Sequence, residues 1–229
     1  MKIFNIVSIV FIFFHSFTYA QWTQIPLGTS VELFDLHFIS VDTGWVVGRN
    51  STVLKTTNGG IYWTPQQVSV SAEITSVYFV NANIGWASCS NGVIIKTTNG
   101  GGNWVQKPSG INEVIYGIYF TSDMEGVAVS ASWYNGYPHL GRILKTTDGG
   151  ETSSIRITDY YDGLIDVFFI DKNQGWACGS RGTIYKTLDG GNTWNLVNQF
   201  TGYWLNAIYF YNKNEGIVVG GNVNSDIIY

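Results

Sequence analysis

The string "KTTNGGIYW", Lys55 to Trp63, returns as "KTTNGGGNW" from Lys96, "KTTDGGETS" from Lys145 and "KTLDGGNTW" from Lys186. Aligned, the copies give Thr-x-Asn/Asp-x-Gly-x-x-Trp: Thr56, Asn58, Gly60, Trp63; Thr97, Asn99, Gly101, Trp104; Thr146, Asp148, Gly150; and Thr187, Asp189, Gly191, Trp194, with Ser153 where the third copy would carry its Trp. Each residue type has a structural task. A short Asn or Asp side chain accepts hydrogen bonds from backbone N–H groups about two residues on and closes a turn. Paired glycines admit positive φ, and the Trp buries a large ring as the next strand begins.

The copies keep a fixed register with other landmarks. Phe38, Phe79, Phe120, Phe169 and Phe210 are spaced by 41, 41, 49 and 41 residues, and Gly44, Gly85, Gly126, Gly175 and Gly216 repeat the same steps. Trp22, Trp63 and Trp104 are also 41 apart. Each period holds an alternating apolar run ("LFDLHFI", "ITSVYFV", "VIYGIYF", "LIDVFFI", "LNAIYF"), a polar turn, a second run opening in most copies on Gly-Trp, a tight turn, and a third run ending in the motif. Short β-branched runs separated by Gly and Asn, without a helical period, predict an all-β chain. Four strands in ~41 residues is the period of a β-propeller blade, and about five blades are present.

The motif is identified as the Asp-box, or bacterial neuraminidase repeat. With its "GW" strands at this period, the chain from Gln21 to Tyr229 resembles the extracellular propellers related to the photosystem II stability and assembly factor family. The resemblance implies hairpin turns between third and fourth strands, away from the face that usually binds ligands. It also implies a ring of usually seven blades. One copy per blade keeps Asn58, Asp148 and Asp189 from converging, so the motif is architecture and not a reagent or a metal site; no metal and no cofactor is expected. The arginine patch through which the photosystem factor meets its partner has no counterpart among Arg49, Arg142, Arg156 and Arg181. A photosynthetic role therefore does not carry over.

The two ends carry separate signals. Lys2, the apolar run Ile3 to Phe14 and Ala20 read as a cleaved secretory leader over residues 1–20, with the propeller over 21–229 and no membrane span after cleavage; an amino-terminal membrane anchor is the alternative. The protein is then secreted, periplasmic or at a bacterial cell surface. "NVNSDIIY" ends inside a third strand, which predicts missing repeats; five blades closed by the strand at Trp22 is the alternative. With 12 Lys+Arg against 16 Asp+Glu and no basic cluster, the charge argues against a nucleic-acid partner. Cys89 and Cys178 form neither a disulfide framework nor a metal-ligand spacing and are expected to pack as small buried hydrophobes.

Candidate chemistry lies on the face opposite the motif turns. The third period holds the one insertion, "SASWYNGYPHLG", with Trp133, Tyr134, Tyr137 and His139; nearby links hold Tyr160, Tyr161 and Asp162, and Tyr203 and Trp204. Aromatic rings on a loop face stack on sugars or anchor a protein, so a protein or polysaccharide partner is expected there. Packing of the loops on their own side chains is the bland alternative. The enzymatic alternative is a fragment of a xyloglucanase- or sialidase-like glycoside hydrolase, which needs two carboxylates ~5–9.5 Å apart, Asp159 and Asp162 being the best local pair. His37 reads as a packed core residue.

Overall fold

The structure, a computed structural model, describes residues 25, 27–134, 137–199, 202–222 and 225–228. The leader and Trp22 lie outside the described residues. Five antiparallel sheets follow one another along the chain, each a meander in sequence order. The first holds β1 (Leu33–Phe38), β2 (Gly44–Gly48), β3 (Thr52–Thr56) and β4 (Thr64–Pro65); the second β5 (Ile74–Phe79), β6 (Gly85–Cys89), β7 (Ile94–Thr97) and β8 (Val105–Lys107). The third holds β9 (Val114–Phe120), β10 (Gly126–Tyr134), β11 (Tyr137–Thr146) and β12 (Ser154–Asp159); the fourth β13 (Leu164–Phe169), β14 (Gly175–Gly179), β15 (Thr183–Thr187) and β16 (Asn195–Gln199). A three-stranded fifth sheet holds β17 (Trp204–Phe210), β18 (Gly216–Asn222) and β19 (Ser225–Ile228). The first strands β1, β5, β9, β13 and β17 pack against one another in succession, so the sheets stand around a common axis as propeller blades.

The core is split into joints between neighbouring blades. Trp45 stacks on Phe79 of the next blade at 3.5 Å between ring centroids, and that Phe meets Trp104 edge-on at 5.8 Å. Trp86 stacks on Phe120 and Trp176 on Phe210 in the same way, at 3.5 and 3.6 Å. The landmark Phe therefore meets a Trp at every joint, and at the joint of the first and second blades it is held between two. Gly85, Gly126 and Gly175 make room for it, since a Cβ there would press into Phe79, Phe120 and Phe169 at 2.5–2.6 Å. Cys89 and Cys178 are free and buried in different joints.

The motif turn also ties blades together. Lys55 Nζ and Trp45 Nε1 both donate to the Gly100 carbonyl of the next blade, at 2.9 and 3.2 Å; Lys96 and Trp86 donate to the Gly149 carbonyl at 2.9 and 3.0 Å. In the third blade Val127 stands where Trp would be, and Lys145, buried, reaches Gly190 O at 2.7 Å and Glu125 at 3.2 Å. The leading lysine of the motif is thus a cross-blade donor.

Within the turn, the bonding differs from the expectation of closure about two residues on. Thr187 Oγ1 takes the amide of Gly191 at 2.9 Å, and Asp189 reaches four residues on, to the amide and hydroxyl of Thr193 at 2.9 and 2.7 Å. Thr56 with Asn58, Thr97 with Asn99 and Thr146 with Asp148 repeat the pattern. The threonine hydroxyl fills the nearer positions, because the two glycines at φ +70° and +86° fold the chain back over it. These bonds hold Asp148 and Asp189 at about 2, below the ordinary carboxylate value of 3.8. Asp189→Ala is expected to destabilise the chain by about 1–2 kcal/mol, as loss of a capping side chain does. Urea unfolding at pH 7 measures it, and the deficit should shrink as pH falls from 3.8 toward 2, where wild-type Asp189 protonates.

Backbone bonds sort the turns into two faces. Gly59, Gly100, Gly149 and Gly190 donate to Asp42, Asn83, Met124 and Asn173, so each motif turn lies beside the first turn of its own blade. On the other face Arg49, Ser90 and Ser180 donate to Glu32, Glu73 and Gly163, joining the second turn to the incoming link. The β10–β11 hairpin carries the insertion on this link face.

Candidate functional site: the axial cavity and its aromatic rim

The inner strands do not alternate cleanly. Pairing of β1 with β2 skips Phe34, and the corresponding shifts in the other blades skip Thr75, Tyr116, Ile165 and Asn206. A bulge inserts one extra residue and re-aims its side chain. All five of these residues line one cavity of about 500 Å³ on the axis, within the range of small-molecule pockets. Arg49, Glu73 and Ser90, from turns and links, place its mouth on the link face.

In four of the five blades the residue after the bulge, Asp35, Ser76, Asp166 or Ala207, also reaches the wall. Asp35 Oδ2 accepts from Ser76 Oγ at 2.8 Å and the Val77 amide at 2.9 Å, and Asp166 Oδ2 accepts from the Ile208 amide at 2.8 Å. Each carboxylate thereby clamps the next blade's inner strand at its bulge. Burial raises both pKa values, Asp166 to about 6, with a further contribution from the Asp35 charge. Two residues further along, His37, Tyr78, Tyr119, Phe168 and Tyr209 form an arc of rings with centroids 4.5, 4.5, 5.9 and 4.9 Å apart. The arc lies toward the motif-turn ends of the inner strands. His37 is packed as expected: Nδ1 accepts the Phe79 amide at 3.2 Å, and burial lowers the imidazole to about 4.

The insertion lengthens the β10–β11 hairpin on the link face, beside the cavity-lining Tyr116. Trp133 donates its Nε1 to the Tyr116 hydroxyl and meets Trp204 of the fifth blade edge-on, ring centroids 5.4 Å apart. Trp133 remains 43% exposed. Sequence reasoning singled out Trp133 and Trp204 separately, and the structure brings them together. It missed Tyr116, which sat in what read as a core strand.

The other candidates are dispersed. His139 is exposed on β11; the side chains of Tyr134 and Tyr137 lie outside the described residues. Tyr160 and Tyr161 are exposed on the link after β12, and Tyr203 is half-buried. Asp162 is turned inward, its side chain 3% exposed, and accepts from Gln199 at 2.6 Å beside Arg181 at 3.6 Å. Asp159 takes the amides of Tyr161 and Asp162 and the Tyr185 hydroxyl. This carboxylate pair is engaged in holding the link. Three of the four arginines are likewise engaged, Arg49 by Glu32 and Glu73, Arg142 by Glu113 and Arg181 by Asp162.

The model of the family described as photosynthesis system II assembly factor YCF48 matches residues 14–108 and 154–224, more than half of the chain. The chain belongs to the YCF48 family. The unmatched stretch, 109–153, contains the extended hairpin with Trp133, so this chain departs from the family pattern at the rim of the cavity. A solved YCF48 bound to a D1 peptide is 20% identical over 90% of this chain and 95% of its own, with a TM-score of 0.44. An ancestral GH74 enzyme gives a TM-score of 0.68 at 15% identity over 91% of this chain and 30% of its own. The GH74 xyloglucanase from Xanthomonas campestris gives 0.60 at 11%, over 91% and 36%. The chain therefore spans about a third of the length of those enzymes, and at these identities the likeness is one of fold. No curated protein matches the chain in sequence.

Proposed function

We propose that the chain is an exported, non-catalytic binding or assembly propeller without a photosynthetic role, which takes a protein partner on its link face. The observation that carries this reading is the cluster of Trp133, Tyr116 and Trp204, gathered from two blades at the mouth of the axial cavity. Half-exposed aromatic anchors over a pocket are where binding energy concentrates in protein recognition. Family membership supports an assembly role, and the scattered, carboxylate-engaged arginines argue against the arginine-patch mode of the photosystem factor. Export rests on the basic and apolar character of residues 1–20.

The test is a panel of synthetic 15-residue peptides on a membrane, probed with the purified chain and with the Trp133→Ala/Trp204→Ala double variant. Selective binding by the wild type, lost by about tenfold or more in the variant at unchanged far-ultraviolet dichroism, is the expected result. Equal binding by both proteins would remove the rim as the site. The glycoside hydrolase reading is tested on xyloglucan: release of reducing ends by the purified chain would overturn the non-catalytic assignment.

A further inference from the structure

The wall of the axial cavity carries more carboxylates than cations. Asp35, Glu73 and Asp166 face it, and the cation among the described lining residues, Arg49, is taken up by Glu32 at 2.9 Å and Glu73 at 2.8 Å. Asp35 and Asp166 accept only backbone amides and a serine hydroxyl; among the described residues neither has an ion-pair partner. Two half-buried carboxylates that share a cavity and have no ion-pair partner among the described residues disfavour each other's ionisation. A positive guest would relieve both.

The cavity's shape restricts the guest. Its mouth lies on the link face beside Tyr116, whose hydroxyl Trp133 holds. Ile165 and Val114 give it an apolar side along which a hydrocarbon stem can lie. A bare metal ion is a poor fit: no group of three or more metal-ligating side chains exists among the described residues, and the carboxylate oxygens already hold amides. A flexible stem ending in a cation matches both the apolar wall and the acidic depth.

We propose that the well receives a lysine or arginine side chain from an extended segment of a partner protein, its cationic head between Asp35 and Asp166 and the flanking chain lying on Trp133, Tyr116 and Trp204. This rests on the protein-binding reading of the link face and names the feature of the partner that is recognised. The carboxylates set the sign of the guest; the rim supplies contact area.

The experiment titrates the whole chain with acetyl-Gly-Tyr-Lys-Tyr-Gly-amide and with its Nε-acetyllysine counterpart, by calorimetry at low salt. The lysine peptide is expected to bind about tenfold tighter or more, a discrimination that Asp35→Asn and Asp166→Asn each reduce to near unity. Ala207→Phe, which fills the well from its wall, should abolish binding of the lysine peptide. Dichroism and unfolding midpoints establish that the variants are folded. Equal binding of the two peptides, lost on Trp133→Ala, would overturn the cation well while leaving the rim as a binding surface. Equal binding indifferent to Trp133, or binding of neither at millimolar concentration, would overturn the well, and the peptide panel would then decide the rim alone.

Discussion

Trp86→Ala is expected to destabilise the chain by about 3–5 kcal/mol, the range for deleting a fully buried large aromatic. Trp86 is 0% exposed, lies 6° from parallel on Phe120, and donates to the same Gly149 carbonyl as Lys96, whose ammonium sits 5.1 Å from the indole centroid. The substitution removes the stack, one of two bonds to the neighbouring motif turn, and the ring beneath the lysine. It leaves a void between blades that neither sheet can collapse into, because each is pinned by its own hydrogen-bonded ladder. The third blade shows how the repeat accommodates a smaller residue: Val127 fills that position, and Lys145 is buried there with Glu125 as a second partner. Chemical unfolding of wild type and W86A measures the difference. A loss below about 1 kcal/mol would mean that the joints are not held by these rings.

Asp166→Asn and His37→Gln are expected to unmask opposite pH dependences of stability. The folded Asp166 carboxyl, facing Asp35 and the Cys178 thiol, titrates at about 6 against an ordinary 3.8. The folded chain therefore holds this proton more tightly than the unfolded chain, and raising pH from about 4 to 6 takes away stability, about 3 kcal/mol for that displacement. His37, packed on Tyr78, titrates at about 4 against 6.5, so the unfolded chain holds its proton more tightly and raising pH across the same window adds about 3 kcal/mol. In the wild type the two slopes oppose each other. Asp166→Asn should leave stability rising between pH 4 and 6.5, and His37→Gln should leave it falling. At pH 7 Asp166→Asn removes the carboxylate charge and keeps an oxygen for the Ile208 amide, while its NH2 group replaces the oxygen that accepted the Val167 amide, so the two effects oppose each other. Urea midpoints across pH 4–7 decide the matter; parallel profiles for all three proteins would refute both environments.

The repeat was legible because its chemistry is local. Phe38 and its copies, the Gly-Trp openings and the Thr-x-Asn/Asp turns recur at one period, and each places its own strand or turn without help from distant residues. The partners of those residues were not legible. Nothing in "KTTNGG" says that its lysine crosses to the next blade, and nothing in the motif's spacing says that the threonine takes the nearer amide and the Asp the one four residues on. The site itself was hidden by a mistaken alternation. Phe34, Thr75, Tyr116, Ile165 and Asn206 each sit four residues before the landmark Phe, in strands that read as regular, and only the unevenness of that column hinted at a role. The same is true of Asp35 and Asp166, one position on.

By itself, then, the order of residues determined the succession of strands, the blade period and the places of the turns, because hydrogen bonds and apolar alternation act over a few positions. Only the tertiary structure decided that five bulges meet on one axis, that Asp35 and Asp166 share a cavity, and that Trp133 and Trp204 touch. Those relations join residues of different blades, and they arise when inner strands close around an axis and turn one side chain per blade toward it.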